Sequence, residues 1–88
     1  MLAWNDCVEP SRLTDHERER AARSSELGQV AVLELEHYVA VCPVTGTHFL
    51  SPTILEDLRN AQQSGDDQRA LTLKLALGHF VQTNRRTA

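Results

Sequence analysis

The feature that most constrains the fold is an apolar run over residues 29–50, QVAVLELEHYVAVCPVTGTHFL. It is rich in β-branched residues and is interrupted once, by the sequence PVTG at residues 43–46. Read as a strand, the run places alternate residues on one face that is apolar except for an imidazole. That face comprises Ala31, Leu33, Leu35, His37, Val39 and Val41. We therefore predict a long strand or a short antiparallel sheet over about 29–50, covering one side of a small core.

The PVTG turn predicts a hairpin in which residues 39–42 pair with residues 47–50. Such a hairpin leaves residues 29–36 without a neighbouring strand, and an apolar strand edge must be covered. A break near His37, the N-terminal arm or a second copy of the chain could cover it. No glycine, asparagine or aspartate lies beside His37 to form a tight turn. We therefore favour a homodimer that shares a sheet or helices across a two-fold axis. The sequence leaves open whether residues 29–41 form one strand or two.

A charged helix is predicted before this run. Thr14 and Glu17 have the spacing of a capping box, and Gly28 is a residue type at which helices commonly end. The segment between them is mostly charged and offers little apolar surface, so we interpret it as a solvated flank. Residues 1–13 form a candidate N-terminal arm, in which Trp4 either packs into the domain's own core, which we favour, or docks on a partner.

Two amphipathic helices are predicted after the run. Ser51 and Pro52 are typical of a helix start and predict a helix over about 52–63. Aspartates at 66 and 67 and arginines at 85 and 86 follow the charge order that the helix dipole favours, which predicts a second helix over about 67–84. The predicted fold class is thus α+β, with a charged N-terminal helix, a strand or short sheet, and two amphipathic helices.

Composition limits the classes of protein to be considered. The 88 residues are enough for one small domain. The net charge of -3 lacks the clear basic excess of a nucleic-acid coat protein. No basic segment followed by an apolar one marks a signal peptide, and no apolar run reaches the ~20 residues of a membrane-spanning helix. We expect a cytoplasmic protein with no membrane partner.

A metal site and a catalytic site were both considered and are not expected. Cys42 and His48 flank the turn, but a structural zinc site normally shows two pairs of closely spaced ligands. Cys7, His16, His37 and His79 are the further candidate ligands. Cys42 or Thr45 could serve as a nucleophile with a histidine base, but no phosphate loop or nucleophile elbow accompanies them. We predict no cofactor and no enzymatic activity; the redox state of Cys7 and Cys42 stays open.

DNA binding is the alternative function. The two C-terminal helices, joined by a short turn containing Gly65, resemble the spacing of a helix-turn-helix. The two aspartates at the start of the second helix would repel phosphate oxygens, which weighs against this interpretation. The candidate DNA-binding residues are Gln68, Arg69, Lys74, Arg85 and Arg86.

The function we predict is that of a non-catalytic regulatory or adaptor protein that binds a protein partner. It rests on the short chain, the uncovered strand edge and the charged helix, since edges and helix grooves both accept partner segments. The candidate partner-binding residues are those that a small core explains least: Trp4, Arg18, Arg20, Arg23, Glu34, Glu36 and Tyr38. The sequence does not identify the partner or the pathway.

Overall fold

The computed structural model describes residues 2–41, 43–46 and 48–87, and its description of side chains ends at Asn84. A short 3-10 helix, Trp4–Cys7, comes first. The elements that follow are α1 (Asp15–Arg23), α2 (Ser25–Tyr38), β1 (Val39–Val41), β2 (His48–Leu50), α3 (Thr53–Ser64) and α4 (Asp67–Thr87). Helices therefore dominate, beside one two-stranded antiparallel sheet in the described part of the chain. The predicted α+β class is confirmed.

The strand predicted over residues 29–38 is wrong, because this segment belongs to α2. Its buried residues Leu27, Ala31 and Leu35 recur every four positions, which is the stripe of a helix. Leu33, which a strand would place beside Ala31 and Leu35, is instead 60% exposed. The backbone groups of this segment are satisfied within α2, so the uncovered strand edge from which we predicted a shared sheet does not exist.

The helix predicted from Thr14 to Gly28 is also divided differently. The chain leaves helical geometry at Ser24, where φ is -125° and ψ is 100°, and α2 begins at the next residue. Gly28 lies within α2 and ends no helix. The capping box is confirmed: the Glu17 N–H donates to Thr14 Oγ1 over 3.2 Å, and the Thr14 N–H donates to Glu17 Oε1 over 3.0 Å.

The predicted hairpin is confirmed over the residues that the structure describes. Val39 pairs with Leu50, Ala40 with Phe49 and Val41 with His48, all antiparallel. The N-terminal arm continues this pairing, because the N–H of Leu2 and the carbonyl oxygen of Leu50 lie 2.8 Å apart, as do the N–H of Leu50 and the carbonyl oxygen of Leu2. The arm thus pairs with β2 through Leu2.

Both C-terminal helices are confirmed to within a few residues. Gly65 separates them with φ of +78°, and its N–H donates to the carbonyl oxygens at the end of α3. Helix α4 is the centre of the molecule and packs against α2, α3 and the 3-10 helix. Residues 70–73 of α4 are buried consecutively, so the helix is enclosed at this turn, whereas residues 67–69 before it are exposed. The largest fully buried side chains include Phe80, Leu50, Ile54, Leu73 and Leu77.

Trp4 and Cys7 attach the N-terminal segment to this core. Trp4 is half-buried and packs against the buried cluster, as the sequence predicted. Cys7 is a buried free thiol whose Sγ donates to the carbonyl oxygen of Ala3 over 3.4 Å. Burial, and then the nearby Asp6 carboxylate, raises the pKa of the Cys7 thiol to about 11.

Candidate functional site

Glu17 and Lys74 join α1 to α4. Lys74 Nζ donates to both carboxylate oxygens of Glu17, over 2.8 and 3.0 Å, and the two side chains are only 13% and 18% exposed. Burial raises the pKa of Glu17, but the hydrogen bonds from Lys74 and from the Thr14 N–H outweigh it and leave the pKa below its ordinary value. One carboxylate therefore both caps α1 and binds the central helix.

The residues predicted for DNA binding do not form a free cationic surface in the described part of the chain. Lys74 is held by Glu17, and Arg69 Nη1 lies 3.4 Å from Glu34 Oε1 on α2. Gln68 is exposed, and the side chains of Arg85 and Arg86 lie outside the described residues. In α4 only the first turn, residues 67–69, is exposed ahead of the buried residues 70–73, and it begins with Asp67, whose carboxylate would repel phosphate oxygens. DNA binding stays a prediction without support from these contacts.

The residues predicted for partner binding divide into two groups. Trp4, Glu34 and Tyr38 are engaged within the domain, because Trp4 packs on the core, Glu34 pairs with Arg69 and Tyr38 donates to Asp57. The remaining four form no ion pair with a described residue: Arg18, Arg20, Arg23 and Glu36. These four stay available at the surface, with Arg20 half-buried and the others exposed.

A groove of about 520 Å³ lies between the segment that precedes α1, helix α2 and helix α4. Arg12, Arg18, Lys74 and His79 line it, and we call it the basic groove. None of its lining residues is acidic. Two carboxylates outside the groove form ion pairs with its cations: Glu9 pairs with Arg12, and Glu17 pairs with Lys74. Sequence reasoning assigned Arg18 and Lys74 to two different sites, because only the tertiary fold, in which α1 packs on α2 and Glu17 pairs with Lys74, brings them to one surface.

A second surface is the outer face of α2, which we define as Glu26, Val30, Leu33 and His37. These four residues follow the spacing 4, 3, 4 that lines up side chains along one helix face, and all are exposed. Leu33 and Val30 are 60% and 44% exposed. An apolar pair framed by a carboxylate and an imidazole is therefore open to solvent.

The histidines considered as metal ligands are partly brought together. His48 and His79 line one small cavity of about 140 Å³ beside Leu35 and Phe80. Cys42, the ligand that the sequence placed with His48, lies outside the described residues. Among the residues that are described, no three histidine, cysteine or carboxylate side chains form a group that could hold a metal ion.

Comparisons of the chain with protein-family models, with curated proteins and with solved structures find no match. Within the described ranges, no helix combines the length and the apolar character needed to cross a membrane. The basic groove and the outer face of α2 are the two candidate functional surfaces.

Proposed function

We propose that this chain is a small non-catalytic regulatory or adaptor domain of the cytoplasm that acts by binding a protein partner, and that it forms a homodimer through the outer face of α2. The observation that carries this proposal is the exposure of Leu33 and Val30 on one helix face, at 60% and 44%. Burying two aliphatic side chains against a copy of themselves removes apolar surface from water. The shared sheet that the sequence suggested has no part in this proposal.

The outer face of α2 is complementary to itself when two copies run antiparallel. With the two-fold axis midway between residues 30 and 33, Leu33 of each copy meets Val30 of the other. Glu26 of each copy then lies opposite His37 of the other, since residues 26 and 37 are symmetric about the same point. An imidazole N–H can donate to a carboxylate, so the ends of the contact are polar and matched. Such an isologous contact closes at two copies.

The contact is small, and the dimer is accordingly weak. Helix α2 has 14 residues, which gives a length of roughly 21 Å. One helix face of this length is at the low end of specific interfaces, so we expect a dissociation constant of about 10 μM or weaker. The solution mass therefore has to be measured over a wide range of protein concentration.

Sedimentation equilibrium between micromolar and millimolar protein tests the homodimer. The native chain should move from monomer to dimer, whereas Leu33→Glu should stay monomeric because it buries an unpaired charge. Gln63→Glu is the matched control, because it adds the same charge to an exposed site on α3. Native protein that is monomeric throughout the range would eliminate the homodimer.

Charge exchange tests the antiparallel arrangement separately. His37→Glu places a carboxylate opposite the partner copy's Glu26 and should weaken the dimer several-fold. Adding Glu26→Lys to this variant should restore dimerisation, because opposite charges again face each other. A double variant that dimerises no more strongly than His37→Glu would exclude this geometry.

The same sedimentation runs with a random-sequence DNA duplex at low salt test the DNA alternative. That alternative requires a protein–DNA complex that dissociates as salt rises.

A further inference from the structure

We propose that the basic groove is the docking site for an extended acidic segment of the protein partner, with carboxylates facing Arg18 and Arg12 and an aliphatic side chain on the groove floor. This inference rests on the proposed protein-binding function. It does not depend on the α2 homodimer, because Glu26, Val30, Leu33 and His37 do not line the groove.

The charges of the groove select an acidic ligand. Arg18 forms no ion pair with a described residue, so its guanidinium is free to bind a carboxylate. Arg12 pairs with Glu9 over 3.3 Å, but both side chains are more than two-thirds exposed. A surface pair of this kind contributes little, so an incoming carboxylate can replace Glu9. Lys74 stays paired with Glu17 and is not counted among the groups that bind the ligand.

The floor of the groove favours a ligand that also has aliphatic side chains. Leu13, Val32 and Leu75 line it between the cationic groups. Each is only partly buried, and Val32 remains 37% exposed. An inorganic anion would leave this apolar surface in contact with water, whereas an aliphatic side chain would cover it. The combination of apolar floor and cationic rim matches a peptide of alternating acidic and aliphatic residues.

Two helical glycines keep the groove open. Gly28 on α2 and Gly78 on α4 both line it. A Cβ added at Gly28 would meet nothing within 4 Å, and one at Gly78 would meet only Ser11 Cβ at 4.0 Å. Close packing therefore does not explain these glycines, each of which costs a helix about 1 kcal/mol relative to alanine. Both leave room in the groove for an approaching backbone.

The dimensions fit a chain segment better than a small anion. The groove follows α4 from Lys74 to Gln82, a distance of about 12 Å along the helix, which accommodates roughly four extended residues. A neighbouring hollow of about 380 Å³ shares Arg12 and Lys74 with the groove and adds Arg59. Glu9 also lines this hollow, so a peptide that extends beyond the groove would meet Arg59 in a surface of mixed charge.

Peptide titration followed by ¹⁵N amide NMR tests the proposal. The probe is a mixture of capped pentapeptides with Glu at positions one, three and five and Leu, Ile or Val at two and four. We expect saturable shifts of the Gly28 and Gly78 amides that weaken as salt rises. The same mixture with Lys in place of Glu should shift neither amide. Unmoved glycine amides at millimolar acidic peptide would overturn the proposal. Equal shifts with inorganic phosphate or with the Lys mixture would also overturn it.

Three variants connect the binding to the groove. Arg18→Gln should weaken the acidic peptides about fivefold to tenfold, whereas Arg23→Gln, its matched control on the same helix outside the groove, should change affinity less than about twofold. Gly28→Leu should abolish binding without lowering the thermal midpoint, because its side chain fills the groove. Equal losses in the two arginine variants, or full binding by Gly28→Leu, would contradict the docking site.

The Leu33→Glu variant separates this proposal from the homodimer. It should retain peptide binding while losing self-association. If Leu33→Glu is monomeric and still binds the acidic peptides, the basic groove acts independently of the dimer interface. A chain that dimerises but ignores the acidic peptides would keep the homodimer and exclude the groove.

Discussion

Tyr38 Oη lies 2.5 Å from Asp57 Oδ2 and donates a hydrogen bond to it, which joins the end of α2 to α3 just before the hairpin begins. Burial and then this hydrogen bond to Asp57 raise the pKa of Tyr38 to about 12. The pKa in the folded state is above the ordinary value of 10.0. The contribution of Tyr38 to stability is therefore complete below about pH 10 and is lost as the pH rises through about 12.

Tyr38→Phe should lower the free energy of unfolding by about 1 kcal/mol, because it removes the hydroxyl and leaves the half-buried Asp57 carboxylate without that partner. Urea unfolding near pH 7 measures this loss. The difference between Tyr38→Phe and the native chain should shrink from about pH 10, where the phenol of the unfolded chain begins to ionise, until the native phenol ionises near pH 12. A stability difference that is unchanged up to pH 12 would contradict the role given to this hydrogen bond.

The same contact can be followed spectroscopically, since Tyr38 is the only tyrosine of the chain. Absorbance of the phenolate at 295 nm should titrate with a midpoint near 12 in the native protein. Asp57→Asn should lower the midpoint, because it removes the nearby negative charge. Arg59→Gln, an exposed change on the same helix, serves as the control and should leave the midpoint in place. A native midpoint of 10 would show that Tyr38 is not engaged.

Glu17→Gln should destabilise the protein by about 2 kcal/mol, because it leaves the mostly buried Lys74 ammonium without its carboxylate. Lys74→Met keeps the aliphatic part of the side chain and should cost a similar amount. The double variant should be closer to the native stability than the sum of the two changes, and urea unfolding of all four proteins measures this coupling. Strictly additive losses would show that the pair contributes nothing as a pair.

Low pH should remove the contribution of Glu17 to the free energy of unfolding. The pKa of Glu17 is lowered in the folded state from its ordinary value of 4.5. Its contribution is therefore present above that value and is lost as the pH falls through the lower folded pKa. The stability difference between the native chain and Glu17→Gln should be constant from pH 5 to 7 and decline below about pH 4.5. If the stability difference instead grew as the pH fell, the pKa of Glu17 would be raised in the folded state and not lowered.

Gly65→Ala and Gly28→Ala should have opposite effects on thermal stability. Gly65 has φ of +78°, so alanine there should cost about 1 kcal/mol through backbone strain alone, since no atom lies within 4 Å of its Cβ position. Gly28 is helical with equally open space, so alanine there should stabilise by about 0.5–1 kcal/mol. Scanning calorimetry of the two variants gives the comparison. A lower midpoint for Gly28→Ala would mean that the glycine is needed for packing.

The Cys7 thiol should resist modification. In a Cys42→Ser background, reaction with Ellman's reagent at pH 8 should be about a hundredfold slower for the folded chain than for the chain in urea, because the raised pKa reduces the thiolate. Cys7→Ser in the same background is the blank. Equal rates in the folded and the denatured chain would show that the N-terminal segment is not packed against the core.

The sequence predicted the parts of the fold that have local chemical signals. The T-x-x-E box, the Pro-containing start of α3, the glycine before α4 and the PVTG turn all act within a few residues. Helix α2 was missed because Ala31 and Leu35 belong equally to a two-residue and a four-residue period. Tyr38 fits only the helical period. The helix end that the sequence predicted at Gly28 placed Leu27 in a different element from Ala31 and Leu35.

Neither candidate surface had a local signal. Arg12 and Arg18 reach the same groove as Lys74 and His79 only because α1 packs on α2 and is joined to α4 by the Glu17–Lys74 ion pair. The outer face of α2 could not be recognised while residues 29–38 were interpreted as a strand. The candidates Arg18, Arg20, Arg23 and Glu36 form no ion pair with a described residue, and their part in partner binding stays a prediction.

The central position of α4 has a consequence for how the chain is made. Helices α2 and α3 emerge from the ribosome before Leu73, Leu77 and Phe80, the residues that their apolar stripes require. Until those residues have left the exit tunnel, the earlier helices have no core to join, so the nascent chain must remain open and accessible to chaperones. The domain can complete its core only once α4 has been synthesised, because that helix supplies Leu73, Leu77 and Phe80.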